Sequence, residues 1–272
     1  MWSALYNPVV LMLLVAILTT LLKRASDFLG TSARSQIGAR ELQDSITVVA
    51  FVSERQSIEP YVHLRTTAEW PSRVRIHLFK SLSADEAVPQ RASSHQVSLR
   101  LRYGSFDSAR ERARILNQES SIQTKYVLLL GDGAVDAVHG WDDVLVQMLA
   151  QCPSRHPVLT GIPLKPEVGH ATSMATFLCI SSSNNNNNGS SSNGSINSSL
   201  DARPFAVNPS RPQPSLFWTP AMSFGRADDL RLPDPRYLCV DNEALLGTQS
   251  MWMAGTDFYA PHVSVVLSLI HI

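Results

Sequence analysis

The stretch YVLLLGDGAVDAVHGWDD, residues 126–143, decides the fold of this chain. It opens on five apolar or aromatic residues, and these end at Gly131, with Asp132 next. A short apolar run bounded by a turn is typical of a strand buried in a parallel sheet. Asp132 then stands at the carboxyl end of that strand, where open α/β sheets bind their ligands. Because an acid there needs a partner to offset its desolvation, the pattern favours a binding role for Asp132.

Strand and helix patterns alternate along the rest of the chain. Strands are predicted over residues 45–53, 73–81, 96–104, 125–132 and 156–163, and helices over 58–70, 107–118, 141–152 and 241–255. Such alternation predicts an α/β fold with a largely parallel sheet and flanking helices. Ser53 stands at the end of the first strand, where it is either a ligand-binding residue or a simple turn residue. Glu243, at the start of the last helix, either complements the helix dipole or presents its carboxylate to a ligand.

Composition excludes several classes of protein. Lysine plus arginine and aspartate plus glutamate both number 23 in 272 residues, so the formal net charge is zero. A nucleic-acid-binding protein would need an excess of basic residues, so no nucleic acid is expected as a partner. The three cysteines form no CxxC motif, so neither a zinc finger nor a dense disulfide framework is indicated.

The two ends of the chain and one internal tract stand apart from this pattern. Residues 1–22 carry no charged side chain, which predicts a single membrane anchor over 1–24 followed by a stem over 25–45; a buried helix is the alternative. The Asn/Ser tract over 181–200 predicts a disordered surface insertion. It contains three N-x-S sequons, which only a secretory lumen would glycosylate, at Asn188, Asn193 and Asn197. Residues 267–272, LSLIHI, equal the translation of a common transposase sequencing adapter and are expected to be an artefact.

Four ordered blocks resemble the family of polypeptide N-acetylglucosaminyltransferases, distant relatives of the mucin-type polypeptide GalNAc transferases. VVAFVSERQSIEP (48–60) resembles the family's first strand and its SYRD turn, and SARERARIL (108–116) resembles a helix with an AR pair. Residues 128–149 resemble the acidic DSH motif followed by NWD, with HPVLTGIP next. Residues 232–261 resemble the family's DP…GEE…RLWTHGWDFYAP. The resemblance covers residues 46–266 outside the insertion.

The resemblance implies a GT-A fold that binds UDP-GlcNAc. It implies that Asp132 holds a divalent cation, Mn²⁺ or Mg²⁺, on the diphosphate of the donor, where oxygen ligands and a Lewis acid suit the chemistry. Ser53 and Arg114 are the expected nucleotide-binding residues, with a plain helix-surface arginine as the alternative for Arg114.

The resemblance also implies the reaction and its setting. GlcNAc would be transferred, with retention of its anomeric configuration, to a hydroxyl of serine, threonine or hydroxyproline in an acceptor polypeptide. Glu243 matches the last acid of GEE, Trp252 the aromatic near sugar and acceptor, and Asp257 the acid of WD; these are the expected catalytic residues. A Golgi or related secretory membrane is the expected location, with the catalytic domain lumenal. By the positive-inside rule, however, Lys23 and Arg24 favour a cytoplasmic domain.

Several positions depart from the family pattern. Ala134 replaces the second ligand of DSH, Gln56 replaces the acid of SYRD, and DNE stands for GEE. Asp136 and His139 are the nearby residues able to replace the missing ligand; the alternative for both is a solvated loop. If the chain departs from its natural sequence after residue 266, His271 is not the family's metal-binding histidine. A catalytically inactive relative that binds a nucleotide sugar or a glycoprotein is therefore the alternative function.

Overall fold

An eight-stranded sheet forms the centre of the described part of the chain. The computed structural model describes residues 44–268 apart from 55, 83–95, 104–106, 119–121, 132–133, 164–175, 184–196 and 206–208. The predicted anchor over 1–24 and the predicted metal ligand Asp132 lie outside these residues. Within the described part of the chain, no helix has the length and hydropathy of a membrane span.

Twelve strands and four α-helices make up the described chain. The strands are β1 (Ile46–Val52), β2 (Val74–Leu82), β3 (Val97–Tyr103), β4 (Tyr126–Leu130), β5 (Ala134–Ala137), β6 (Pro157–Gly161), β7 (Thr176–Ser183), β8 (Asn197–Pro204), β9 (Gln213–Ser215), β10 (Met222–Arg226), β11 (Asp257–Ala260) and β12 (Val266–Ser268). The helices are α1 (Glu59–Thr67), α2 (Ser108–Asn117), α3 (Trp141–Ala150) and α4 (Glu243–Met253).

The central sheet is mixed, with the order β3-β2-β1-β4-β10-β6-β11-β9. Strands β3, β2, β1 and β4 are mutually parallel, and β6 is parallel to β11. Strand β10 is antiparallel to both of its neighbours, β4 and β6, so β6 and β11 run in the same direction as β1. The sheet therefore has one edge where the parallel strands end, the carboxyl edge, and an opposite amino edge where they begin.

Both faces of this sheet are covered by helices. Along β1, alternate side chains point to opposite faces, as strand geometry requires. Ile46, Val48 and Ala50 belong to a core shared with α1 and α3. Val49 and Phe51 belong to a second core shared with α2 and α4. Burial on both faces explains why β1 is apolar throughout instead of alternating with polar residues.

The predicted α/β pattern agrees with the described elements. Each predicted strand and helix has its counterpart within a few residues. Asp107 caps α2 by accepting from the N–H groups of Ala109 (3.1 Å) and Arg110 (3.3 Å). Ser57 accepts from the N–H of Glu59 at the start of α1.

The structure differs from the prediction in its antiparallel strands and in the insertion. Strands β9 and β10, which run antiparallel to their neighbours and make the sheet mixed, were not predicted. The predicted disordered insertion, 181–200, is too long at both ends, because residues 181–183 and 197–200 belong to the antiparallel pair β7–β8. Backbone hydrogen bonds extend that ladder into serine and asparagine, since strand pairing does not require apolar side chains. The remainder of the tract lies outside the described residues.

Candidate functional site

A cleft of about 500 Å³ lies at the carboxyl edge, beside the ends of β1 and β4. The chain reverses its direction of travel across the sheet there, since β2 and β3 lie on one side of β1 and β4 on the other. Such a switch point is where open α/β sheets form a ligand crevice. The cleft is lined by residues 51–54, Ser81, Ser108, Arg112, Gly131, residues 219–221 and Val240.

The loop after β1 is held in place by a buried lysine. The ammonium of Lys80, on β2, donates to the carbonyl oxygens of Glu54 (3.3 Å) and Gln56 (2.7 Å). The N–H of Gln56 donates to the carbonyl of Ser53 and closes a turn. Lys80 is only 4% exposed, and these two carbonyl dipoles contribute to compensating its buried charge. Ser53 and Glu54 therefore line the cleft from a loop whose backbone is tied to β2.

Glu54 is the one carboxylate among the described residues that line the cleft. Its Oε1 accepts from the hydroxyl of Ser81 at 3.3 Å. Ser81 lies on β2, and β2 and β4 are on opposite sides of β1. The hydrogen bond therefore directs the Glu54 carboxylate away from the end of β4. No sequence motif singled out Glu54, which takes the place of tyrosine in the family's SYRD turn.

One wall of the cleft contains a buried ion pair between α2 and α4. Nε and Nη2 of Arg112 donate to Oε1 and Oε2 of Glu243, both at 2.6 Å. Nη2 also donates to the hydroxyl of Ser108, and the guanidinium lies 4.8 Å from the centre of the Phe51 ring. Both carboxylate oxygens of Glu243 accept from the Arg112 guanidinium. The predicted catalytic acid is therefore held in an ion pair with a residue of the cleft wall.

Arg112, and not Arg114, is the arginine of α2 that lines the cleft. Arg114 is half-exposed and pairs with Glu111 on the same helix at 3.2 Å. Sequence reasoning missed Arg112, although the two-residue spacing in RAR puts the two side chains on different faces of the helix. The signal was available in the amphipathic pattern of α2, since Arg112 falls among Ala109, Ala113 and Leu116 on its buried side.

The other two predicted catalytic residues lie away from the cleft. Asp257 begins β11 at the amino edge, where its Oδ2 accepts from the hydroxyl of Ser154 at 2.6 Å. Trp252 is 47% exposed near the end of α4, about 14 Å along the helix axis from Glu243. Its ring lies 6.2 Å from that of Phe258. The structure therefore does not bring Trp252 and Asp257 together with the residues of the cleft.

The GWD segment of the opening stretch has a structural role. Gly140 has φ +73°, a left-handed conformation that glycine adopts readily and asparagine tolerates, which accounts for glycine where the family has asparagine. Trp141 is buried and donates from Nε1 to the carbonyl of Leu64 at 2.7 Å. Asp142 accepts from Arg73 and from two backbone N–H groups, those of Glu69 (2.7 Å) and Trp70 (3.1 Å).

The described residues do not form a divalent-metal site. Across the described ranges, no three His, Cys, Asp or Glu side chains are grouped so as to hold a metal ion. Asp136 accepts from the next backbone N–H, and His139 lies 3.9 Å from Glu69, beyond the end of α1; neither lines the cleft. A cation in the predicted position would therefore depend on Asp132, which lies outside the described residues. The one carboxylate among the described lining residues, Glu54, lies on the other side of β1 from β4.

His262 follows β11 at the carboxyl edge and was not singled out by the sequence. Its Nδ1 is buried and has no hydrogen-bond partner among the described residues. Burial lowers the pKa of His262 below its usual value, because the charged imidazolium would lose hydration. A neutral imidazole is therefore present at this edge at neutral pH.

Comparison with known proteins gives the class of the chain. A family model described as Glycosyltransferase (GlcNAc) matches residues 25–270, which is most of the sequence. The class is therefore that of a transferase with a sugar donor and an acceptor. The chain belongs to the Glycosyltransferase (GlcNAc) family.

Two further comparisons add little to this assignment. A search of curated protein sequences returned no match. Among solved structures, the crystal structure of S. aureus TarS 1-349 is similar, with a TM-score of 0.43 and 12% sequence identity. The alignment covers 79% of this chain and 59% of that one, so this chain spans less than two thirds of its length.

Proposed function

We propose that the chain is a GT-A-type transferase that moves GlcNAc from UDP-GlcNAc to a polypeptide hydroxyl, on serine, threonine or hydroxyproline. The observation that carries the proposal is the cleft at the switch point of the sheet, in a chain of the Glycosyltransferase (GlcNAc) family. Its volume of about 500 Å³ is in the range of sites that enclose a small organic ligand.

The polar groups of the cleft suit a nucleotide sugar. The hydroxyls of Ser53, Ser81 and Ser108 line the cleft, and a hydroxyl oxygen can accept from a ligand hydroxyl even where its proton is donated within the protein, as that of Ser81 is to Glu54. Arg112 uses Nε and Nη2 within the protein, while Nη1 has no partner among the described residues. Because the charge of Arg112 is already balanced by Glu243, the pair orients donor groups toward a phosphate without adding net charge to the wall.

Metal assistance and retention of configuration belong to this proposal. A cation bound at Asp132 would neutralise the charge that develops on the leaving diphosphate. The chain's own part is to hold the β1 loop through Lys80 and to keep one wall fixed through Arg112 and Glu243. Both devices position the donor before reaction and need not move during it.

A secretory-membrane location, with the domain in the lumen, is also proposed. It is motivated by the uncharged segment over 1–22 and by the sequons at Asn188, Asn193 and Asn197. Treating intact microsomes with protease tests it: a protected domain whose mass falls on glycosidase treatment is expected. Digestion of the domain in intact microsomes would place it on the cytoplasmic side instead.

Transfer assays on the full-length chain test the reaction. UDP release from UDP-GlcNAc, with serine-, threonine- and hydroxyproline-containing peptides as acceptors, is expected to require Mn²⁺ or Mg²⁺. Asp132→Asn is expected to abolish it, whereas Asp228→Asn, the same change at an exposed carboxylate beyond β10, should leave it intact.

An inactive relative is the second candidate, because alanine at position 134 cannot coordinate a metal. The same assays distinguish it from the enzyme. Wild-type chain that binds UDP in calorimetry and never releases it from UDP-GlcNAc, with any peptide or metal, would establish the inactive form.

A further inference from the structure

We infer that Glu54 recognises the nucleoside part of the donor by accepting a hydrogen bond from the ribose diol. The inference rests on the proposed function, because it needs a ribonucleotide in the cleft. It names a residue that the family resemblance does not supply, since the matching position of the SYRD turn is tyrosine.

The hydrogen bonding of Glu54 is incomplete. Its Oε1 accepts one bond of 3.3 Å from Ser81, and among the described residues Oε2 has no donor and the carboxylate has no ion pair. A half-buried carboxylate that the protein leaves under-bonded gains most from a ligand that brings donors. Ribose hydroxyls are such donors, and acids at the carboxyl edge of α/β sheets bind them in other nucleotide sites.

The position of Glu54 favours the nucleoside over the diphosphate. Ser81 holds its carboxylate on the β2 side of β1, whereas the metal and phosphates are proposed beside the end of β4. A carboxylate placed against a phosphate would repel it, so the uncharged ribose is the part of the donor that Glu54 can contact favourably. The Lys80 bonds to the carbonyls of Glu54 and Gln56 hold the backbone from which this carboxylate projects.

A two-by-two binding experiment tests the inference. Calorimetry with Mn²⁺ present would compare UDP and 2′,3′-dideoxy-UDP on the wild-type full-length chain and on Glu54→Gln. The wild type is expected to prefer UDP by about 10-fold or more, as a charge-assisted hydrogen bond implies. Glu54→Gln should reduce this preference to about 3-fold or less, chiefly by weakening UDP. Glu69→Gln, the same change at an exposed glutamate beyond α1, should keep the wild-type preference.

The outcomes separate the inference from the proposed function. Wild-type chain that binds both nucleotides equally overturns the role of Glu54 and leaves the function standing; this arm needs no variant, so it holds even if Glu54→Gln fails to fold. A Glu54→Gln chain that keeps the full preference overturns it too. So does a variant that loses only the Mn²⁺ dependence of UDP binding, which would make Glu54 a metal ligand. Wild-type chain that binds no UDP at all refutes the proposed function, and the inference with it.

Discussion

The carboxylates at the two edges of the sheet differ in how many hydrogen bonds they accept from the protein. At the amino edge, Asp142 accepts three hydrogen bonds from protein donors and is fully buried. At the carboxyl edge, Glu54 accepts one weak bond and lines an open cleft. An acid whose acceptor positions are filled by the protein stabilises the fold, whereas one left under-bonded beside a cleft is available to a ligand.

Replacing Asp142 with alanine should give the largest loss of stability. The change leaves the buried Arg73 guanidinium without its closest partner and two backbone N–H groups unpaired. The free energy of unfolding in urea should fall by about 3–5 kcal/mol. Glu54→Gln, measured in parallel, should change it by about 0.5 kcal/mol or less. Equal losses from the two variants would end the distinction between the edges.

The Arg112–Glu243 pair is intermediate between these two cases, since it is buried like Asp142 and borders the cleft like Glu54. Arg112→Met and Glu243→Leu should each lower the free energy of unfolding by about 3 kcal/mol, because each leaves one unpaired buried charge. The double variant should lose no more than either single one, since it removes both charges. Strictly additive losses would show that the pair does not act as a unit. If the double variant folds, its UDP affinity measures what the wall contributes to binding.

Helix α4 tests how closely the cleft depends on packing behind it. A Cβ added at Gly247 would lie 2.7 Å from the ring of Trp218, which is fully buried and directly precedes the cleft residue Thr219. Gly247→Ala should lower the free energy of unfolding by about 1–2 kcal/mol, because overpacking outweighs the better helix propensity of alanine. UDP affinity should fall with it, since Trp218 must shift. Ser250→Ala, on the same helix, should change neither quantity, and a stabilised Gly247→Ala chain would contradict the packing argument.

The sequence predicted the scaffold of the site better than its chemistry. Apolar runs and helical spacing are local signals, so β1, β4 and α2 were found where they lie. Strand β10 was missed because MSFGR is short and its partners, β4 and β6, are distant along the chain. Glu54 and Arg112 were missed for a related reason. Their roles depend on Ser81 and Glu243, which only the folded chain brings near them.

One residue that the resemblance assigned to catalysis, Asp257, lies at the edge of the sheet opposite the cleft. Asp142 and Asp257 both match acids of the family pattern, yet both are at the amino edge and bonded to protein groups. A motif records which residues occur together in sequence, and it does not separate an acid that supports the fold from one that faces a ligand. Hydrogen-bond partners separate the two, and they require coordinates.

Asp257 therefore gives the smallest expected effect and the sharpest check on the difference between the edges. Asp257→Asn keeps the shape of the side chain and weakens its 2.6 Å bond with Ser154, so the free energy of unfolding should fall by about 1 kcal/mol. Because Asp257 lies at the edge opposite the cleft, kcat/KM for the proposed GlcNAc transfer should remain within about 2-fold of the wild type, a change worth about 0.4 kcal/mol in transition-state free energy. Ser154→Ala should likewise leave kcat/KM within about 2-fold, and it should cost more stability, because it also removes the bond that the N–H of His156 donates to the Ser154 hydroxyl at 3.1 Å. A stable Asp257→Asn chain without transferase activity would place a catalytic group at the amino edge, and the cleft between β1 and β4 would then not be the whole active site.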